Sequence, residues 1–252
     1  MLFEKIRRTQ KPVFIFLALI FGFGFVLLGV GSGTGGVNPL DIFGNNSGSS
    51  SSIDDLNQQV KDHPNDSAAW LSLARAYAAD QQYDPALGAY QTYLSLKPND
   101  VRATASAATL YETRARQTSA EGSAYQAQLQ ALQSQQSALG QSAVKASSQF
   151  TEPLLTALQT PLQTRTTEFQ NRIRADLTAA AALWKSATKL DDTNPIYWKA
   201  LANDAIQTQD YKTAVDALKK YLEVNPQAGD AQQIKGYIKQ LEPLVGAASP
   251  GQ

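Results

Sequence analysis

The chain has 252 residues, with 22 lysines and arginines, 22 aspartates and glutamates, and no cysteine. The absence of cysteine excludes disulfides, thiolate chemistry and a lipid-modified cysteine anchor. Charge is spread unevenly, because residues 1–11 carry four cations against Glu4, which leaves +3 there and −3 in the remainder. A mildly acidic remainder without a basic cluster argues against nucleic acid as a partner, since phosphate backbones are bound by clustered lysine and arginine.

The first element is an apolar stretch at residues 13–30, VFIFLALIFGFGFVLLGV, which contains no charged side chain. A helix of this length spans about 27 Å, close to the roughly 30 Å hydrocarbon core of a bilayer. The cations precede it and the next charge is Asp41, so the positive-inside rule places residues 1–11 in the cytoplasm and the rest outside. We predict a transmembrane anchor at residues 12–32 that contacts the lipid bilayer. A cleaved signal peptide is the alternative, although signal h-regions usually run about 7–15 residues.

A flexible linker is predicted at residues 33–52, where glycine, serine and asparagine dominate. Such a segment has too few apolar side chains to bury a core. Its random-coil reach over about 20 residues is about 25 Å, which keeps the following domain near the membrane. Residues 40–43, LDIF, are an alternative short docking motif within it.

Helical periodicity begins at Ile53, with Ser52 as the predicted N-cap and Pro64 after the first helix. Beyond it the chain repeats itself at one dominant offset, 128 residues. Within each copy the repeated positions share faces of two successive helices, with small alanines where the helices cross. The positions are Trp70, Leu73, Ala86, Tyr93, Leu94 and Pro98, which recur as Trp198, Leu201, Ala214, Tyr221, Leu222 and Pro226.

Each copy resembles a tetratricopeptide repeat (TPR), a 34-residue helical hairpin. The second copy has Ala205 where that family usually has an aromatic residue, and both copies carry a tyrosine, Tyr93 or Tyr221, where a small residue is typical. The resemblance implies an all-α fold: an N-terminal transmembrane helix, a flexible linker and a solenoid of helical hairpins. Its terminal repeat is expected to be covered by a polar capping helix.

The offset exceeds two 34-residue repeats by 60 residues, so we predict a middle repeat with a long insert. Weak helical stripes on both sides of the insert predict an antiparallel helical hairpin that prolongs the repeat helices, with its tip near residues 148–152. A disordered loop is the alternative, because Gly122, Gly140 and Pro161 weaken the helices. The predicted domain, residues 53–241, contains repeats 67–100, 101–115 with 179–194, and 195–228, the insert 116–178 and a capping helix 229–241, and is followed by a disordered tail at 242–252.

Candidates for catalysis are few. His63 is the one histidine of the chain and lies in the loop-like run Asp-His-Pro-Asn. The sequence has no zinc-ligand spacing, nucleophile elbow, phosphate-binding glycine loop or dinucleotide fingerprint. We therefore predict a binding protein without catalytic, metal or cofactor sites.

The TPR resemblance implies a peptide-binding concave face lined by the first helix of each repeat. Lys199 and Asn203, one helical turn apart, resemble part of the carboxylate clamp with which some members hold a peptide C-terminus, although no matching residues follow them. The predicted face consists of Leu71, Arg75, Ala78, Ala105, Thr109, Glu112, Lys199, Asn203 and Ile206.

Two further resemblances concern the partners of this chain. Both resemblances imply that the partners lie outside the membrane. Residues 1–31 look like the anchors of membrane-bound extracytoplasmic prolyl-isomerase chaperones, and anchored repeat proteins accompany such chaperones. Residues 63–100 are similar to the repeat subunits of cytochrome c maturation, which hold apocytochrome tails. The resemblances imply a scaffold in folding of secreted or envelope proteins, or a cytochrome c assembly factor. A structural envelope spacer without a peptide ligand is the third hypothesis.

Overall fold

Residues 52–141 and 148–247 are described by the structure, a computed structural model. The predicted cytoplasmic segment, the anchor and nearly all of the linker lie outside these ranges, as do residues 248–252 of the predicted tail. Within the described ranges, every helix falls short of the length or the hydropathy that a membrane crossing needs. All described residues belong to one compact unit, Ser49–Gln252.

The described residues form eight α-helices and no β-strand, which confirms the predicted all-α class for this part of the chain. Each helix packs against the helices before and after it in sequence. The helices are α1 (Ile53–Asp62), α2 (Ser67–Ala79), α3 (Tyr83–Leu96), α4 (Val101–Gln141), α5 (Ser148–Leu190), α6 (Pro195–Gln207), α7 (Tyr211–Val224) and α8 (Ala231–Ala247).

Helix α1 begins at the predicted N-cap. The Ser52 hydroxyl accepts a hydrogen bond from the Asp55 amide at 3.1 Å, and the Asp55 carboxylate accepts one from the Ser52 amide at 3.2 Å. This reciprocal capping box satisfies two backbone donors that the helix start leaves open. Leu56 and Val60 are buried in the cluster that contains Leu73 of α2, so α1 covers the outer face of the first repeat.

The first and third repeats are helical hairpins, α2 with α3 and α6 with α7. Ala74 and Ala86 in the first hairpin, and Ala202 and Ala214 in the third, are fully buried. An alanine at each crossing leaves only a methyl group between the helices, so the backbones approach closely. The repeated alanines therefore have the packing role that their spacing indicates.

The two hairpins also share a type of turn that the residue types do not predict. Gln81 and Gln209, again 128 positions apart, both have left-handed backbones, with φ of 59° and 66°. In both turns the next amide donates to the carbonyl five residues earlier, at 2.9 and 2.8 Å. This is the Schellman arrangement, which usually has glycine at the left-handed position. Because glutamine has no preference for that conformation, the pattern of residue types does not predict it.

The middle repeat is formed by the beginning of α4 and the end of α5. Ala108 of α4 and Ala180 and Ala187 of α5 are fully buried, and Trp184 is 5% exposed. These residues occupy one hydrophobic cluster with α6 and α7. The two halves of an interrupted repeat thus pack together across some 60 residues of insert, as the sequence interpretation requires.

The insert continues both repeat helices without a break into two long antiparallel arms, since α4 has 41 residues and α5 has 43. The rings of Tyr125 and Phe169 lie 5.4 Å apart across the seam between them. A Cβ atom at Gly122 would lie 3.1 Å from the Cβ of Phe169. The absence of a side chain at Gly122 therefore allows the two arms to approach closely at this point.

The predicted tip of this hairpin is displaced. Helix α5 begins at Ser148, so residues 148–152 are helical, and residues 142–147 lie outside the described ranges. Pro153 and Pro161 both lie within α5. A proline weakens a helix by removing one amide donor, but here it does not mark a boundary.

The last helix also extends beyond its predicted end. Ile234, Ile238 and Leu241 are buried, which confirms the predicted apolar face. The helix continues through Pro243 to Ala247, so the disordered tail predicted from residue 242 begins too early. Val245 packs against the hydrophobic cluster of the last two repeats, and this contact favours the additional helical turn.

Two tyrosines connect each outer hairpin to the helix that follows it. Tyr93 of α3 donates a hydrogen bond to the carboxylate of Asp100, just before α4, and Tyr221 of α7 donates one at 2.8 Å to Asp230, just before α8. Asp230 also accepts from Lys199 at 2.7 Å. Burial and the carboxylate neighbours raise the pKa of both tyrosines to about 12. These bonds explain why a tyrosine occupies a position where the family typically has a small residue.

We expect Tyr221→Phe and Tyr93→Phe each to lower the free energy of unfolding by about 1 kcal/mol. A hydrogen bond to a charged group contributes about 1.5–3 kcal/mol when buried, and these partly exposed pairs contribute less. Urea denaturation of the full chain at pH 7 measures the change. If Tyr221→Phe costs as much in an Asp230→Ala background, which has no side-chain acceptor, as in the wild type, the hydroxyl does not act through that carboxylate.

Candidate functional site

The nine residues of the predicted concave face all lie on the first helices of the three repeats, α2, the beginning of α4, and α6. We call them the first-helix row. Arg75 is exposed, Ala78 is buried, and the other seven are half-buried. In order, the row contains Leu71, Arg75, Ala78, Ala105, Thr109, Glu112, Lys199, Asn203 and Ile206.

Three polar members of the row have partners inside the fold. The Lys199 ammonium pairs with Asp230 at 2.7 Å and lies 5.5 Å from the centre of the Tyr221 ring. Glu112 accepts a hydrogen bond at 2.7 Å from the indole nitrogen of Trp184. The Thr109 hydroxyl donates to a carbonyl of its own helix at 3.0 Å. A carboxylate clamp at Lys199 would therefore require the ammonium to exchange Asp230 for the ligand.

Arg75 is different, because it is exposed on α2 and takes part in none of the ion pairs found within the described ranges. It faces Tyr90 of α3, whose side chain is 1% exposed and whose hydroxyl has no hydrogen bond of normal geometry. Burial raises the pKa of the Tyr90 hydroxyl, against the opposing effects of Ser106 and Arg75. The junction of the first two repeats thus presents a cation above a buried hydroxyl.

A buried polar cluster lies at the junction of the middle and third repeats. Asp204 of α6 is 2% exposed, and its Oδ2 atom has no hydrogen bond. Burial first, and then the negative charge of Glu112, raise the pKa of Asp204 to about 8. Burial also raises the pKa of Glu112, although the indole of Trp184 and the charge of Arg116 act in the opposite direction.

Asp204 is not among the residues predicted from the sequence, although its position in the sequence is unusual for an acidic residue. It lies among Leu201, Ala202 and Ala205 on the buried face of α6. An acidic residue on an apolar helical stripe is unusual, because burying a carboxylate is costly unless it is paired or neutral.

A polar cleft of about 330 Å³ lies between the α2–α3 turn and the base of the insert. Arg114 of α4 is one of its charged lining residues. Its guanidinium binds Asp176 of α5 with two hydrogen bonds and also pairs with Asp84 at the beginning of α3. These partners are 62 and 30 positions away in sequence, so no local pattern indicates them. The cleft is lined by Gln81, Gln82, Tyr83, Asp84, Pro85, Arg114, Gln117, Thr118, Glu121 and Arg172.

No family model and no curated protein matches the chain. The solved structures that match this chain include a MamA RS-1 ArsTM double mutant, which is 17% identical; the match covers 69% of this chain and 83% of that protein, with a TM-score of 0.25. A thermophilic TPR protein of Thermus thermophilus is 18% identical, covers 76% and 89%, and scores 0.27. YrrB, described as a TPR protein with an unusual peptide-binding site, is 13% identical, covers 73% and 100%, and scores 0.24. At these TM-scores the likenesses say nothing about the function of this chain.

Proposed function

We propose that this chain is a membrane-tethered, extracytoplasmic scaffold that binds a protein or peptide along the first-helix row of its TPR-like domain. The observation that carries the proposal is Arg75, an exposed cation in the middle of the first repeat's part of the row. An arginine that serves the fold is expected to have a carboxylate partner, as Arg114 has. Arg75 forms no such ion pair among the described residues, although its charge acts on the Tyr90 hydroxyl and on Asp100. A guanidinium has five N–H donors, so it can bind a ligand beside these neighbours.

The surroundings of Arg75 favour an extended polypeptide. Ala105, on α4, is half-buried, whereas Ala78, one turn beyond Arg75 on α2, is buried in the core and does not contribute to the surface. Small side chains let a bound backbone approach the helices, while arginine binds carboxylates and carbonyl oxygens with several donors. A partner segment with an acidic residue or a free carboxylate near Arg75 fits this part of the row.

The membrane tether is supported by the uncharged stretch at residues 13–30 and by the cations before it. With the predicted linker, this arrangement keeps the domain within about 25 Å of the membrane by the random-coil relation. Partners of such a scaffold are proteins at the outer side of the membrane. Secretory folding factors and apocytochromes, which the sequence resemblances suggest, both belong to this class.

A structural spacer is the second candidate, and the insert favours it. The parts of α4 and α5 beyond the repeat base contain some 26 residues or more in each arm, which corresponds to about 40 Å of helix. A spacer uses this length and does not need the first-helix row. The two candidates therefore respond differently to a change at Arg75.

Site-specific photocrosslinking in cells tests the scaffold. A crosslinker at Leu71, in the row, is expected to capture polypeptide partners, and one at Gln91, exposed on α3, is not. Arg75→Glu should reduce capture about tenfold, the equivalent of about 1.4 kcal/mol. Lys212→Glu on the exposed side of α7 is the matched charge reversal and should leave capture unchanged. Adducts with lipid or wall material alone, or equal capture in both variants, would contradict the scaffold and leave the spacer.

Protease added to the same cells, after any outer layer is made permeable, serves as the control for orientation. Cleavage of the domain at residues 53–247 without lysis of the membrane is the expected result. Protection until lysis would place the domain on the cytoplasmic side.

A further inference from the structure

The acidic side chain most enclosed within the described residues is that of Asp204. It lies in the last turn of α6 with 2% of its surface exposed, and its Oδ2 atom has no hydrogen bond. The backbone carbonyl of Asp204 accepts a hydrogen bond from the Thr208 hydroxyl at 2.9 Å, but this bond leaves the Oδ2 atom of the side chain without a partner. A buried polar atom without a partner is rare in proteins and calls for an explanation.

The elements around Asp204 supply one like charge and one distant cation. Helix α4 contributes Glu112 and Arg116, the two charged groups that act on Asp204. Helix α5 contributes Trp184, which is uncharged and whose indole N–H is already donated to Glu112. Helix α7 contributes its buried apolar face, with Ala214, Val215 and Leu218. Arg116 is exposed, so its charge is largely screened by water.

Ionised Asp204 would be unfavourable in this setting for two separate reasons. A carboxylate in an apolar environment loses its hydration without replacement, and the nearby Glu112 carboxylate repels it. Both effects favour the protonated form and raise the pKa of Asp204 to about 8. A neutral carboxylic acid at this position loses much less hydration free energy than a carboxylate and is not repelled by the charge of Glu112.

We propose that Asp204 is a neutral carboxylic acid in the folded chain at neutral pH, and that its proton holds the middle and third repeats together. When the proton leaves, two negative charges, on Glu112 and Asp204, face each other between α4 and α6, and the junction loosens. Glu112 also belongs to the first-helix row. The part of this proposal that concerns ligand binding therefore rests on the proposed function, whereas the protonation state does not.

The dependence of stability on pH has a definite sign. Aspartate in an unfolded chain has a pKa of about 3.9, so the folded state holds the Asp204 proton at pH values where the unfolded state has lost it. The contribution of Asp204 to stability consequently falls as pH rises from about 4 to about 8 and is constant above that value. In this window the unfolding equilibrium constant rises by up to about tenfold per pH unit.

Asp204→Asn tests the proposal, because asparagine has the shape of a protonated aspartic acid and cannot ionise. Urea denaturation of the full chain in detergent should show that the wild type loses stability between pH 5 and pH 8 more steeply than the variant. At pH 8 the unfolding constant of Asp204→Asn should be at least about 100-fold lower than that of the wild type. Asp216→Asn on the exposed side of α7 is the control and should reproduce the wild-type slope. An unchanged slope in Asp204→Asn overturns the proposal.

A direct measurement does not depend on the variant. The ¹³C signal of the Asp204 side-chain carboxyl in the labelled full chain should titrate with a midpoint near pH 8. A midpoint below about 5, as in an ordinary aspartate, overturns the proposal even if Asp204→Asn fails to fold.

The link between this proton and ligand binding is tested separately. A photocrosslinker placed at Ile206 should capture less partner above pH 8 in the wild type, whereas capture should persist in Asp204→Asn. If capture by the wild type does not depend on pH while the Asp204 carboxyl still titrates near pH 8, only the link to the first-helix row is rejected, and the protonation state stands.

Discussion

Arg114→Ala is expected to lower the free energy of unfolding by about 3–5 kcal/mol. Asp176 is almost buried, with 7% of its side chain exposed, and Arg114 binds both of its oxygens. Removing the guanidinium leaves that carboxylate enclosed without a countercharge, which costs more than the pair itself contributes. Arg114 also pairs with Asp84 of α3, so the change separates the first repeat from the base of the insert.

The matched control is Arg165→Ala on the same insert. Arg165 pairs with Glu168 at 3.2 Å, but both side chains are more than half exposed, and such surface pairs contribute about 0–1 kcal/mol. Urea denaturation of the full chain measures both variants. A double variant, Arg114→Met with Asp176→Leu, should recover most of the loss, because it removes both buried charges. If Arg114→Ala costs no more than Arg165→Ala, the buried pair does not hold the base of the insert.

The helical hairpins could be predicted because their determinants are local. Alanine at the helix crossings and Ser52 at the first cap each have a direct physical role that spacing reveals. The ends of α5 and α8 were harder to predict. The hairpin tip was expected near residues 148–152 and the end of α8 at residue 241, yet α5 begins at Ser148 and α8 continues through Pro243 to Ala247. Packing of a neighbouring residue, Val245 on the core, outweighs the local preference.

The candidate site could be predicted only in part, and the reason is sequence separation. The TPR resemblance identifies which residues lie on first helices, but it does not show which of them are already engaged. Lys199 meets Asp230 from 31 positions away, and Glu112 meets Trp184 from 72. Asp204 is the exception, since its place on an apolar stripe is visible in the sequence. Only the folded chain shows that Lys199 is held in an ion pair, whereas Arg75 forms none among the described residues.

Trp184→Ala should lower the free energy of unfolding by about 3–5 kcal/mol, the usual cost of removing a large buried aromatic side chain. Trp184 is 5% exposed, stacks on Tyr197 at 5.8 Å and packs in the cluster that joins the last two repeats. It also donates its indole N–H to Glu112 at 2.7 Å. The alanine variant therefore loses packing and leaves a partly enclosed carboxylate without its donor.

Phenylalanine separates these two effects. Trp184→Phe keeps most of the ring packing and removes the donor, so we expect a loss of about 1.5–3 kcal/mol, as for a hydrogen bond to a charged group. Trp198→Phe is the matched control, because the Trp198 indole donates to the backbone carbonyl of Asp192 at an exposed site and should cost only about 0.5–1.5 kcal/mol. Urea denaturation followed by circular dichroism measures the free energy of unfolding of both variants. Tryptophan fluorescence is not used, because each variant lacks one tryptophan. If Trp184→Phe and Trp198→Phe lower the free energy of unfolding equally, the hydrogen bond from the Trp184 indole to Glu112 contributes no more than an exposed one. The indole would then not be the donor that stabilises the Glu112 carboxylate.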